Sequence, residues 1–113
     1  MEKKSNERLF GSLTVCRRAG RLAFGFDSTK DSIAEGKAKL VLLSEDASVK
    51  TEKEIRFFAD RAEVPVMRTD AGMAEFDFYL GKKCAVIAVC DDGFAGAIAD
   101  RLTSPIVDSD MGV

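Results

Sequence analysis

The stretch Gly25-Phe26-Asp27-Ser28-Thr29-Lys30 joins a short apolar run to a helix-like segment. A helix starting there offers unpaired backbone N–H groups to a phosphate. The cheaper reading is a glycine turn with Asp27 or Ser28 as the helix cap. Lys82-Lys83 follows Gly81, and a lysine pair in a loop gains meaning only beside other cations. Asp91-Asp92 has the chemistry of a metal or general-base site, but capping of the last helix explains the pair at less cost. Cys90 at the same helix start has two carboxylates beside it and reads as a structural cysteine. Glu45-Asp46 has no partner base or metal motif and reads as a turn. Neither G-x-G-x-x-G nor G-x-x-x-x-G-K-[ST] occurs, so nucleotide binding by those routes has no support.

The elements that must position these residues alternate between helix and strand. Asn6 can cap a first helix burying Leu9, Phe10, Leu13 and Cys16 on one face. Arg17 and Arg18 fall in its last turn, where cations suit the helix dipole, and Gly20 ends it. Leu22-Ala23-Phe24 is extended, and a second helix runs to Gly36. Leu40-Val41-Leu42-Leu43 reads as a strand buried on both faces, as in a parallel sheet. Ser48 or Thr51 caps a third helix that buries Ile55, Phe58, Ala59 and Ala62 and stops at Pro65. Val66-Met67 is a short strand. Thr69 or Asp70 starts a fourth helix burying Met73, Phe76 and Leu80, and Gly81 closes it. Ala85 to Val89 is the last buried strand, and a final helix covers about 92–102. The alternation predicts an α/β fold, a three-layer α-β-α sandwich with a small mixed sheet. Residues 1–102 are expected to form one domain and 103–113 a flexible tail.

Composition narrows the function classes. The 113 residues suit one domain, and with 46% hydrophobic and 32% charged residues they can fill a core. No apolar run approaches the roughly 20 residues that cross a membrane. The polar N-terminus lacks the apolar centre of a signal peptide, so a cytoplasmic location is expected. There is no histidine, and the three cysteines lack metal-ligand spacing. Zinc chemistry and histidine-dependent triads are excluded; no cofactor, metal or catalytic residue is expected. The net charge of −2 is unlike that of most nucleic-acid binders. Its distribution differs along the chain. Arg17, Arg18, Arg21, Lys30, Lys37 and Lys39 outnumber Asp27, Asp31 and Glu35 within 17–39, leaving a basic segment on an acidic body.

The segment from Gly25 to Ala47, with Val64-Pro65-Val66 further on, resembles the core of the kink-turn-binding ribosomal protein family, the L-seven-Ae and L-thirty-e superfamily that includes the growth-arrest Gadd-forty-five proteins. The likeness runs from about Glu7 to Leu102 and points to its short bacterial, ribosome-associated members. It implies an α-β-α sandwich, no enzymatic activity, and binding of a sharply bent RNA with tandem sheared G·A pairs. The family reads RNA with G-x-N-E-x-x-K. Aligned on Gly36, the glycine falls on Gly25, the asparagine on Asp27, the glutamate on Ser28 and the lysine on Asp31. Only the glycine is kept. An asparagine amide both donates and accepts, whereas ionised Asp27 only accepts. Ser28 is too short to replace the glutamate, and Asp31 reverses a charge. Lys30 lies about 100° around the helix from Asp31 and compensates incompletely. The family's second contact falls near Gly81-Lys82-Lys83-Cys84, where lysines favour phosphate over an unstacked base. Asp77 stands where many members have glycine.

The resemblance also implies that the end of the first helix, the start of the second and the Lys82-Lys83 loop share one end of the sandwich. The expected RNA-facing set is Arg17, Arg21, Gly25, Asp27, Ser28, Lys30, Asp31, Lys37, Lys82 and Lys83. The expected partner of this monomer is structured RNA, ribosomal RNA among the candidates, bound mainly through phosphates. The competing expectation is a protein partner, on the same scaffold without kink-turn specificity.

Overall fold

A computed structural model describes residues 3–103, and the expected tail lies outside the described residues from 104 onward. Five helices and four strands alternate: α1 (Lys3–Arg18), β1 (Leu22–Phe24), α2 (Phe26–Ala34), β2 (Leu40–Leu43), α3 (Val49–Arg61), β3 (Val66–Arg68), α4 (Met73–Leu80), β4 (Val86–Val89) and α5 (Asp92–Thr103). The sheet order is β1-β4-β2-β3. β2 runs parallel to β3, and β4 is antiparallel to both β1 and β2. The sheet is therefore mixed, as expected.

The two central strands, β2 and β4, are buried along their whole length. Parallel pairing is not the whole reason: β2 does run parallel to β3, but β4 is antiparallel to both of its neighbours. The two central strands are buried because helices cover both faces and alternate residues point to opposite sides. Leu40 and Leu42 of β2 and Ile87 and Val89 of β4 pack with Leu9, Phe10, Leu13, Phe76, Leu80 and Ile98 from α1, α4 and α5. Val41, Leu43, Val86 and Ala88 pack with Ile33, Ile55 and Ala59 from α2 and α3. Full burial of a Leu, Ile or Phe side chain stabilises by about 1.5–3 kcal/mol. Phe10 adds an edge contact with Phe76 and stacks on Tyr79, with centroids 5.8 and 4.4 Å away.

Several helix starts differ from expectation. Asn6 lies inside α1 instead of capping it. Neither Asp27 nor Ser28 caps α2: Gly25 occupies that position, at φ 91° and ψ 168°, and supplies no side-chain cap. A side chain is strained in that conformation, which belongs essentially to glycine. Thr69 does not start α4 but is buried, its hydroxyl donating to Leu43 O at 3.0 Å. The start of α4 is held twice, by Gly72 N–H donating to Glu75 Oε1 at 3.2 Å and from afar by Met73 N–H donating to Asp46 Oδ1 at 3.1 Å. Ser48 caps α3, accepting from Thr51 N–H at 3.0 Å. Asp91 caps α5, accepting from Phe94 N–H at 2.9 Å. Ala62, expected in the core, lies exposed at the end of α3.

Candidate nucleic-acid interface

The register of β1 on β4 places the expected site residues. Leu22 pairs with Val89 and Phe24 with Ile87. Beyond these pairs, Cys90 N–H donates to Arg21 O at 2.8 Å, and Gly25 N–H donates to Val86 O at 2.8 Å. Arg21 and Gly25 therefore mark opposite ends of the sheet, about 13 Å apart at roughly 3.3 Å per residue.

At the Gly25 end, α2 starts next to the loop that enters β4. Gly25, Asp27, Ser28, Lys82 and Lys83 gather here, and all but half-buried Gly25 are exposed. A frame of hydrogen bonds fixes this end. Ser44 N–H donates to Ala85 O at 2.9 Å. Arg68 donates to the carbonyls of Ser44 and Glu45 at 3.2 and 2.9 Å, and reaches Glu52 on α3. Glu52 also accepts from Arg56 Nε at 2.8 Å. Hydrogen bonds from Arg56 first, then Arg68, hold the Glu52 carboxyl below its ordinary pKa. Burial pushes the Cys84 thiol up, so it is not an activated nucleophile.

At the other end, Arg21, Lys37 and Lys39 rim a cavity of about 540 Å³ floored by Leu22, Ala23 and Cys90. Arg17 belongs here too, because the turn after α1 bonds Gly20 N–H to Arg17 O and Arg21 N–H to Cys16 O. Lys37 pairs with Glu35 at 3.3 Å. Burial, first, and the charge of Asp91 push the Cys16 thiol up to about 11. The expected single patch is corrected: Arg17, Arg21 and Lys37 do not share an end with Gly25, Lys82 and Lys83. β1 is short, but it carries the chain from one end of the sheet to the other.

Lys30 and Asp31 lie one turn into α2 and are exposed. Lys30 turns toward α3, with Nζ 5.0 Å from the Phe58 ring centroid, so it does not stand in for Asp31. Sequence reasoning missed the groove this creates between α2 and α3, and it missed Arg68 and Asp46 as the ties of the Gly25 end. The sequence signal for the groove was Phe57, an aromatic residue one position off the buried face of α3. Among the described residues no group of three or more His, Cys, Asp and Glu could hold a metal ion. No described helix is long and apolar enough to cross a membrane.

The fold and this end define a small ribosomal-protein-like α-β-α domain, with a glycine-started helix beside the loop ahead of its last strand. Residues 7–97 match the Ribosomal protein L7Ae/L30e/S12e/Gadd45 family, and the chain belongs to that family. It is 34% identical to the RNA-binding protein YlxQ of Bacillus subtilis, covering 82% of this chain and 93% of that one. It is 26% identical to the large ribosomal subunit protein eL30 of Tetrahymena thermophila, covering 82% and 91%. A solved structure of a Bacillus halodurans protein with unknown function superposes with a TM-score of 0.76 at 26% identity, covering 82% of this chain and 94% of the other.

Proposed function

We propose that the protein binds structured, kink-turn-like RNA in the cytoplasm, associated with the ribosome and without catalysis, through the Gly25 end of its sheet. One observation carries the reading. The α2 N-terminus, which no side chain caps, sits beside the Lys82-Lys83 loop, with Gly25 tied to Val86 at 2.8 Å. The first amides of a helix carry a partial positive charge and donate to a phosphate or a base-edge oxygen. Lys82 and Lys83 neutralise backbone phosphates nearby, and Asp27 accepts from an exocyclic amino group. Relatives named RNA-binding protein YlxQ and large ribosomal subunit protein eL30 support the partner class. A second reading, a protein-interaction module on the same scaffold, is favoured by Asp27 and Asp31, whose negative charge on exposed α2 opposes an RNA backbone.

The test compares an RNA carrying tandem sheared G·A pairs with a control carrying Watson–Crick pairs in their place. Wild type is expected to bind structured RNA but to distinguish these two weakly. Asp27→Asn, Ser28→Glu and Asp31→Lys together should restore discrimination, since a good bidentate base contact contributes about 1–3 kcal/mol. The gain should be larger at low salt. Wild type that binds no structured RNA refutes the proposal. Wild type that already binds the kink-turn tightly and rejects the control shows that Asp27, Ser28 and Asp31 are not departures that matter.

A further inference from the structure

A groove of about 430 Å³ runs between α2 and α3, lined by Phe26, Lys30, Lys53, Glu54, Phe57 and Phe58. Its outer wall is unusual for the surface of a small domain. Lys53 and Phe57 follow one another at helical spacing along α3, both exposed, with Phe57 at 55%. Phe57 meets Phe58 edge-on, with centroids 5.3 Å apart and planes at 83°. Cations stand over both rings. Lys30 Nζ lies 5.0 Å from the Phe58 centroid, and the Arg61 guanidinium lies 5.3 Å from that of Phe57.

From this arrangement we infer a second RNA contact: the α2–α3 groove receives an unpaired nucleobase stacked on Phe57, with its phosphates held by Lys30 and Lys53. The inference rests on the RNA-binding reading and adds a site to it. Charge decides the class of occupant. Lys30, Lys53 and Arg61 surround the aromatic surface with Glu54 as the lone carboxylate among the named groove residues, which suits a polyanion that brings its own π-face. Glu54 can accept from a base amino group. Position agrees as well. Phe26 follows Gly25 directly, so a strand leaving the α2 N-terminus reaches the groove without crossing the body of the protein. Every base has a face to stack, so the groove selects unpaired nucleotides rather than a particular sequence.

The test uses two RNAs with the same structured stem, one ending flush and one carrying a short single-stranded overhang. Wild type should bind the overhang RNA more tightly. Phe57→Ala should weaken that RNA about tenfold and leave the flush RNA unchanged. Phe57→Trp should keep the preference, whereas Phe57→Leu, apolar but without a π-face, should lose it. Lys53→Glu provides a separate probe of the groove and should also reduce the preference. Phe57→Leu behaving as wild type would mean that apolar burial matters and stacking does not, as for a protein partner, and would overturn the inference. Wild type binding both RNAs equally, with Phe57→Ala indifferent, would overturn the base site and leave the RNA-binding reading standing. Failure of wild type on both RNAs would remove both.

Discussion

Both ends of the sheet carry cations, Arg17, Arg21, Lys37 and Lys39 at one and Lys82 and Lys83 at the other, and the two ends are built differently. At the Gly25 end, loops from distant parts of the chain are tied together by side chains: Arg68 to the Ser44 and Glu45 carbonyls, Asp46 to the start of α4, and Thr69 to Leu43. At the Arg21 end, the fixed contacts are mostly backbone, such as Lys39 N–H to Val89 O at 2.8 Å, and Lys37 is paired with exposed Glu35. A surface that must hold a bent RNA in one geometry benefits from the first construction, because groups fixed before binding lose less entropy when the ligand arrives. Lysine and arginine on a loosely tied rim give mainly a nonspecific field. Cations close in sequence do not make a site unless the fold brings them to one end.

Backbone conformation should separate the two ends most strongly. Gly25 and Gly20 both have positive φ, at 91° and 74°. Neither would have a new Cβ within 4 Å of a neighbour. Substitution by valine therefore costs backbone strain without a clash at Cβ, on the order of 1–3 kcal/mol, read as a drop in Tm. Gly25→Val should lose RNA binding as well as stability, whereas Gly20→Val should lose stability alone. Equal binding losses, measured below both melting transitions, would erase the distinction between the ends.

A smaller effect follows from Asp46. Asp46→Ala removes the acceptor for Met73 N–H and should cost about 1 kcal/mol in urea denaturation. It should also loosen the Gly25 end, raising amide exchange at 73–75 more than near Arg21. Uniform exchange across both ends would show that Asp46 does not hold the frame.

The weakest of these effects concerns pH. Glu52 has its folded pKa depressed by Arg56 and Arg68, so its contribution to stability is complete above the unfolded carboxylate value. It is lost as pH falls through the lower folded value. For a partly exposed network the contribution is about 0.5 kcal/mol. Glu52→Gln should reduce stability at neutral pH and flatten the acid limb of the profile. An unchanged limb would mean that the Arg68 latch adds nothing measurable.

Much of the fold was legible in the sequence because uninterrupted apolar runs such as Leu40–Leu43 admit few other readings. Strand direction was not legible, since helices on both faces bury a central strand whichever way its neighbour runs. The Asp46 bond at the start of α4 was hidden because Asp46 and Met73 are 27 positions apart. The missing side-chain cap on α2 was hidden in a backbone angle at Gly25 that no neighbouring residue announces. The candidate site was half legible. Gly25, Asp27 and Ser28 fall beside the loop they were expected to share, but Arg17, Arg21 and Lys37 were grouped with them because the family resemblance was read as bringing the end of α1 to the same end of the sandwich. The antiparallel pairing of β1 with β4, which separates them, depends on residues more than 60 positions further along the chain.

If the Gly25 end governs RNA binding, affinity measured across a salt series will show it directly. Lys82→Glu with Lys83→Glu should weaken binding strongly and flatten the log-affinity against log-salt slope by roughly 0.7 to 0.9 for each phosphate that is no longer neutralised. Arg21→Glu with Lys37→Glu, at the opposite end, should leave most of the affinity and slope in place. The reverse order, or equal weakening by the two double variants, would contradict this assignment and move the interface away from the α2 N-terminus.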